Sequence, residues 1–351
     1  MQKAILLFLL AFSVTHCAKT NNEVQVDPDN FPFEKLSDYH LFTGDLSAFQ
    51  PNEGVLPYDL NSPLFTDYAE KARFVWMPKG VAAGYDEKNA LDFPVGTVLI
   101  KHFYYEKAGQ KDIKETRLLM NTSEGWNAAT YQWNEAQTDA ELNIIGAEEA
   151  MTYAHPTRGN LEFTYVIPDK NQCKNCHQKG GSFVPIGPTA RSLNKDFAYA
   201  TGTMNQLEKW ESLGYLKGKP ETKDIHKMAV WNDPASGSLH DRAMAYLEIN
   251  CAHCHNPQGS ANTSGLNFTI YEDRPFNLGI CKAPVSAGKG AGDNDFDIMP
   301  GHPEKSITIY RMTSLDPGAM MPELGRSLVH TEGVELIREW IAAMEENLCG
   351  G

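Results

Sequence analysis

Two pentapeptides constrain this chain more than any other feature: Cys173-Lys174-Asn175-Cys176-His177 and Cys251-Ala252-His253-Cys254-His255. Each is C-x-x-C-H, the attachment pattern of c-type haem. The chemistry explains the spacing. Two thiols one helical turn apart can form thioethers to the two vinyl groups on one edge of a porphyrin. The next residue, His, then lies beneath the ring, where its imidazole can ligate the iron. The pattern predicts two haem c groups, with Cys173, Cys176, Cys251 and Cys254 as the thioether sulfurs. His177 and His255 are the expected axial ligands. Other chemistries for paired cysteines fit less well. Structural zinc pairs usually lie about 15–20 residues apart, whereas 74 residues separate Cys176 from Cys251. Zinc also gives no reason for His to follow both pairs. A thioredoxin-like dithiol calls for one motif at a helix start, not two copies with His. Structural disulfides leave both histidines unexplained.

The N-terminus is consistent with haem attachment outside the cytoplasm. Lys3 precedes the apolar run Ala4–Val14, which reads as an export signal and is too short to span a bilayer. Cys17 follows directly, so residues 1–17 read as a lipoprotein signal ending in a lipidated Cys17. Thr15 and His16 stand where small residues are usual, and ordinary secretion with cleavage nearby is the alternative. The expected location is the bacterial periplasm or outer membrane, with attachment through the lipid. Residues 18–30 read as a linker.

The chain has 351 residues, 42% hydrophobic and 10% aromatic, with a net charge of −14. The length allows two or three domains. Nucleic acid is an unexpected partner, because phosphate contacts need a basic footprint. An acidic face suits a basic redox partner through long-range steering, and an ordinary solvated acidic surface fits equally well. Of the seven cysteines, Cys281 and Cys349 have no part in the haem or lipid assignments. They are a candidate disulfide, worth roughly 4 kcal/mol on the loop-entropy model.

Residues 31–168 carry short apolar and aromatic runs such as Phe74–Met77, Val98–Ile100, Phe103–Tyr105 and Phe163–Ile167, punctuated by Gly, Pro, Asn and Asp. This predicts an antiparallel sandwich or barrel. From residue 169 the expectation changes to helix and loop: an atypical first haem segment over 169–235, then a cytochrome domain over 236–349. Ser238, with Asp241 three residues on, reads as the cap of a helix running into Cys251. Val334, Ile337, Ile341 and Met344 form an apolar stripe at helical spacing in a closing helix that Thr331 can cap. This is the layout of a class I cytochrome c domain, with Tyr246 and Trp340 as candidates for the crossing of its first and last helices. The expected fold class is thus α+β and multidomain: a β-rich sandwich or barrel followed by a mostly α-helical, class I cytochrome c-like region.

The second axial ligand sets the haem potential, and Met raises it relative to His. Met321, just before Pro322, is the chosen partner of His255; Met320 and Met299 are the alternatives. For the first haem the candidates are Met204, Met228, His226, His155 and His102, or no ligand at all.

Further segments carry a family resemblance. They include Tyr58–Tyr68, Phe93–Lys101, Glu115–Leu119, Trp133-Asn134 with Gln137–Ala140, Asn171–Cys173, Pro185–Pro188, Asn205–Leu207 and Asn250–His255. Together they resemble a poorly characterised family of exported di-haem c-type cytochromes, over about residues 33–345. The resemblance implies an electron-transfer protein, often a lipoprotein, encoded beside a parallel β-helix repeat protein. It hints at a surface or polysaccharide-related partner and brings no defined substrate. The haem cysteines and histidines carry over directly, and Met321 as the expected Met-Pro. The expected function is a periplasmic carrier passing electrons between a redox enzyme and an acceptor. The alternatives are a peroxidase-like haem enzyme using an open first haem, and a redox sensor or binding module.

Overall fold

The computed structural model describes residues 23–349. The export run and Cys17 lie outside the described residues. Strands β1 (Leu56–Tyr58), β2 (Glu70–Trp76), β3 (Ala83–Gly84), β4 (Val98–Lys107), β5 (Gln110–Thr122), β6 (Gly125–Trp133) and β7 (Ala140–Leu142) come first. All but β3 join one antiparallel sheet in the order β1-β2-β4-β5-β6-β7. The turn from β4 to β5 is two residues, Ala108 and Gly109, both at positive φ. That conformation matches the twist of a tight hairpin. The hairpin β8 (Ala147–His155) and β9 (Gly159–Ile167) stands apart from the sheet in pairing and packs Tyr165 and Ile167 against Phe103 and Tyr105.

Side chains alternate across a strand, and the two faces of this sheet do different things. Phe74, Ile100, Leu118 and Tyr131 pack under residues of the N-terminal segment, among them Leu36, Tyr39, Phe42 and Phe49. Val75 and Leu99 lie on the opposite face, against Leu193, Leu207, Trp210 and Ile249 from later in the chain.

The rest of the chain is built from short pieces. Helix α1 (Lys170–His177) holds the first motif. It is followed by β10 (Gln178–Lys179), β11 (Ser182–Phe183), α2 (Ala190–Leu193), β12 (Asp196–Tyr199), β13 (Gly202–Asn205), α3 (Gln206–Ser212) and β14 (Leu216–Lys217), which pairs in parallel with β3. Helices α4 (Leu239–Asn250), α5 (Ile307–Thr313) and α6 (Thr331–Ala342) complete the order. Ser238 caps α4 through Asp241 N–H, with the Asp241 carboxylate returning to Ser238 N–H. His330, not Thr331, occupies the cap position of α6. No helix among the described residues is long and apolar enough to cross a membrane.

This architecture corrects the expected fold class. The mostly helical, class I cytochrome c-like region does not form. The molecule is β-rich, 27% strand against 23% helix, and dominated by the antiparallel sheet. Between α4 and α5 the chain has only loops and 3-10 turns, and Pro257, Gly259, Gly265, Pro275, Gly279 and Pro284 in that stretch explain why. The sandwich or barrel expected over 31–168 is instead one open sheet with a separate hairpin. Of the expected linker, residues 23–30 are described, and Val24 and Val26 pack on the core. Cys281 and Cys349 are joined by a disulfide with a Cα–Cα distance of 5.3 Å.

Helices α4 and α6 meet at a glycine. A Cβ on Gly333 would lie 2.3 Å from the Tyr246 ring, and Tyr246 is buried against Trp231 and His330. Helix propensity favours Ala over Gly by about 1 kcal/mol, whereas overpacking a core costs about 1–3 kcal/mol. Gly333→Ala is therefore expected to destabilise the protein, read as a lower denaturant midpoint. A raised midpoint would show that Tyr246 is free to move aside.

Candidate functional site

The first motif is held on a short, well-capped helix. Asp169 accepts hydrogen bonds from Asn171 N (2.7 Å) and Gln172 N (2.9 Å), and its own N–H donates to Gln172 Oε1 (3.0 Å). Cys173 and Cys176, three apart on that helix, share a face. Beyond it Gly180 and Gly181, both at positive φ, turn the chain so that β11 returns over His177. Phe183 stacks on the imidazole at 4.9 Å with the rings 2° from parallel. His177 Nδ1–H donates to the Val184 carbonyl at 2.8 Å. A carbonyl can only accept, so this bond fixes the proton on Nδ1 and leaves the lone pair on Nε2.

The second motif continues the C-terminal end of α4. Cys251 N donates to Leu247 O (2.9 Å) and His255 N to Cys251 O (2.9 Å). The Ser264 hydroxyl donates to Ala261 O at 2.7 Å, so its oxygen accepts from His255 Nδ1 at 3.0 Å. His255 therefore has the same tautomer as His177, again with the lone pair on Nε2. Burial pushes His177 down to about 3 and His255 down to about 4. Both imidazoles are neutral at pH 7, the form that binds metals.

The two motifs touch. Cys254 Sγ donates to Asn175 O at 3.5 Å, Ser260 Oγ to the same carbonyl at 2.8 Å, and Gly180 N to Gln258 O at 2.9 Å. The ligand atoms of Cys176, His253 and Cys254 lie within 4.8 Å of one another. A hydrogen bond to Cys254, together with burial, holds the Cys176 thiol up.

Both motifs wall a single cavity of about 700 Å³, within the range of cofactor pockets. Cys173, Cys176, His177, Cys251, Cys254 and His255 all line it, as do Leu99, Leu119, Ile186 and Phe268. Met321 lines it too, whereas the alternatives Met320 and Met299 are not among its walls. The guanidinium of Arg326 holds the Met321 loop, donating to Met321 O (2.9 Å), Ser314 O (2.9 Å) and Arg311 O (3.2 Å).

None of the five side chains proposed for the distal face of the first haem reaches the cavity. His102 lies on the far face of β4 because its neighbour Lys101 takes the cavity face, and it stacks on Phe49 at 4.0 Å. His155 is bonded to Glu332 Oε1 at 3.1 Å. Met228 is buried beside Ser192. His226 is exposed, and Met204 sits on β13. The cavity instead presents His253 and His330, which sequence reasoning missed. His330 stacks on Phe65 at 4.1 Å, and its Nδ1 lies 3.0 Å from the Tyr246 hydroxyl. Burial pushes it down to about 4.

Comparison with protein-family models, with curated proteins and with solved structures finds no match to this chain.

The contact between the motifs has a measurable consequence. In full-length chain produced without attached haem, mild oxidation is expected to join Cys176 to Cys254, seen as a cross-linked peptide by mass spectrometry. Pairing confined to 173–176 and 251–254 would contradict this contact.

Proposed function

We propose that this chain is an exported electron carrier that holds two haem c groups and exchanges electrons with protein redox partners. One observation carries the reading. Two C-x-x-C-H segments separated by 74 residues wall one cavity, each with a neutral imidazole whose Nδ1 is already bonded. Three features support the fit. The cysteine pairs supply thioether sulfurs at the correct spacing, the walls around them are largely aliphatic and aromatic, and the cavity also holds cationic groups suited to carboxylates. The sequence resemblance to exported di-haem cytochromes points the same way.

Cys173 and Cys176 would hold one group, with His177 as ligand. Cys251 and Cys254 would hold the other, with His255 and Met321, which line the same cavity, as the residues that would bind its iron. Bound haem supplies one-electron chemistry at iron, with a potential set by the axial ligands and their surroundings. The chain's own contribution is positional. Val184 O and the Ser264 hydroxyl fix the two imidazole tautomers and ring orientations, as outer partners of metal-binding histidines do. Arg326 fixes the loop that presents Met321.

The cluster of Cys176, His253 and Cys254 favours a second reading, a single thiolate–imidazole metal site. It leaves Cys173, Cys251, His177 and His255 without a role, and the haem reading uses all four.

Mass spectrometry of the denatured protein, matured in a host that attaches c-type haem, separates the two readings. The haem reading expects two covalent haems per chain, reduced to one in the double variant C173A/C176A and to one in C251A/C254A. A correctly exported chain with no covalent haem and one equivalent of zinc would establish the metal site instead. Met321→Ala is expected to abolish the absorption band of methionine-ligated ferric haem, and an unchanged band would reassign the ligand.

A further inference from the structure

The cavity face of the sheet carries an unusual row. Arg73 on β2 pairs across with Lys101 on β4, and Lys101 with Arg117 on β5. All three line the cavity. Like charges directly opposite one another on a sheet destabilise it, and this row occurs in a chain of net charge −14.

Carboxylates compensate the ends of the row and not its centre. Arg73 Nη1 donates to Asp59 Oδ1 at 2.8 Å, and Lys195 shares that carboxylate. Arg117 makes a two-pronged pair with Glu115. Lys101 has no ion pair among the described residues; its ammonium faces the Phe103 ring at 4.6 Å. Burial pushes Lys101 well down, with Arg73, Lys71 and Arg117 adding to the effect. Arg73 is 5% exposed, and its Nη2 is buried with no hydrogen-bond partner. Lys101 is half-buried with no carboxylate on it among the described residues, and polar groups left unpaired in a shielded wall are costly. The Lys101 ammonium and the unbonded Nη2 of Arg73, both on residues that line the cavity, therefore call for an anion there.

The row lies beside the first motif. Thr130 continues it on β6, α1 with the first motif packs against that strand, and Thr130, Cys173 and His177 line the cavity together with the row. We infer that Lys101 and the free edge of Arg73 bind carboxylate, and that the carboxylates are the propionates of the haem attached at Cys173 and Cys176. This rests on the haem reading above. It uses the one anionic group that reading itself brings into the cavity, and it gives the cations a positioning role toward the first haem.

The test uses the full-length, haem-loaded protein. Haem content by mass is measured first, then the two midpoint potentials by optical titration at one pH, for wild type, Lys101→Gln, Arg73→Gln and Lys101→Arg. Removing a cation near one haem favours its ferric state. One midpoint is therefore expected to move negative in Lys101→Gln and Arg73→Gln while the other stays, with Lys101→Arg restoring it. Two unchanged midpoints would overturn the inference, as would a uniform shift of both. Should a variant fail to mature, a crystal structure of the loaded wild type decides: propionate oxygens within hydrogen-bond reach of Lys101 Nζ and Arg73 Nη2 are expected. Propionates turned away, or a free oxyanion seated on the row, would overturn this inference and leave the haem reading standing. A mature chain without covalent haem would remove both, and the mass measurement tells the two failures apart.

Discussion

The irregular segment between β1 and β2, residues 59–68, ties the three stretches of the molecule into one body. Asp59 pairs with Arg73 and Lys195, and its backbone exchanges hydrogen bonds with the Gln206 amide. Asn61 reaches the carbonyls of Arg191 and Asn194. Ser62 bridges Ala229 O and Trp231 N, and Phe65 N donates to Asn250 Oδ1 at the end of α4. The Asp67 carboxylate accepts from Ser327 N at 2.8 Å and Leu328 N at 2.7 Å, just before α6. Few of these groups are replaceable, because each buried polar atom here would be left unpaired without its partner. The cavity walls depend on this segment. It sets the sheet's inner face, the end of α4 and the approach to α6 against one another.

A second clasp works at the same depth. Arg191 on α2 meets Glu248 on α4, and the other oxygen of Glu248 accepts from Ile270 N. Arg191 also donates to Lys88 O. The pair is almost wholly shielded from solvent, so breaking it by removing one partner would strand a buried charge. It holds the stretch after the first motif against the helix that leads into the second, which keeps the two motifs in register.

What the sequence disclosed follows from the range of each interaction. The two C-x-x-C-H motifs are local and chemical, so they could be read directly. So could the Ser238–Asp241 cap, because its partners are three residues apart. The contacts that tie the N-terminal half to the C-terminal third carry no local mark, because they join residues far apart in sequence, such as Asp67 with Leu328 and Phe65 with Asn250. The helical expectation for the C-terminal third rested on the layout around Cys251 and Met321, while the Pro and Gly residues between α4 and α5 argued against it. His102 was a plausible ligand by type, and strand parity turned it away. His330 carries no local mark at all. Phe65 and Tyr246, which frame it, come from distant parts of the chain.

The reach of segment 59–68 also bears on timing. Its last anchor, Leu328, lies 261 residues beyond Asp67, and contacts of such separation form late because the chain entropy must be lost first. The inner wall of the sheet can be in place long before the approach to α6 arrives to close it. A chain emerging from its N-terminus exposes Cys173, Cys176, Cys251 and Cys254 in turn while the cavity still stands open. The same long-range bonds that bury the site at the end thus leave a window in which its thiols can be reached from outside.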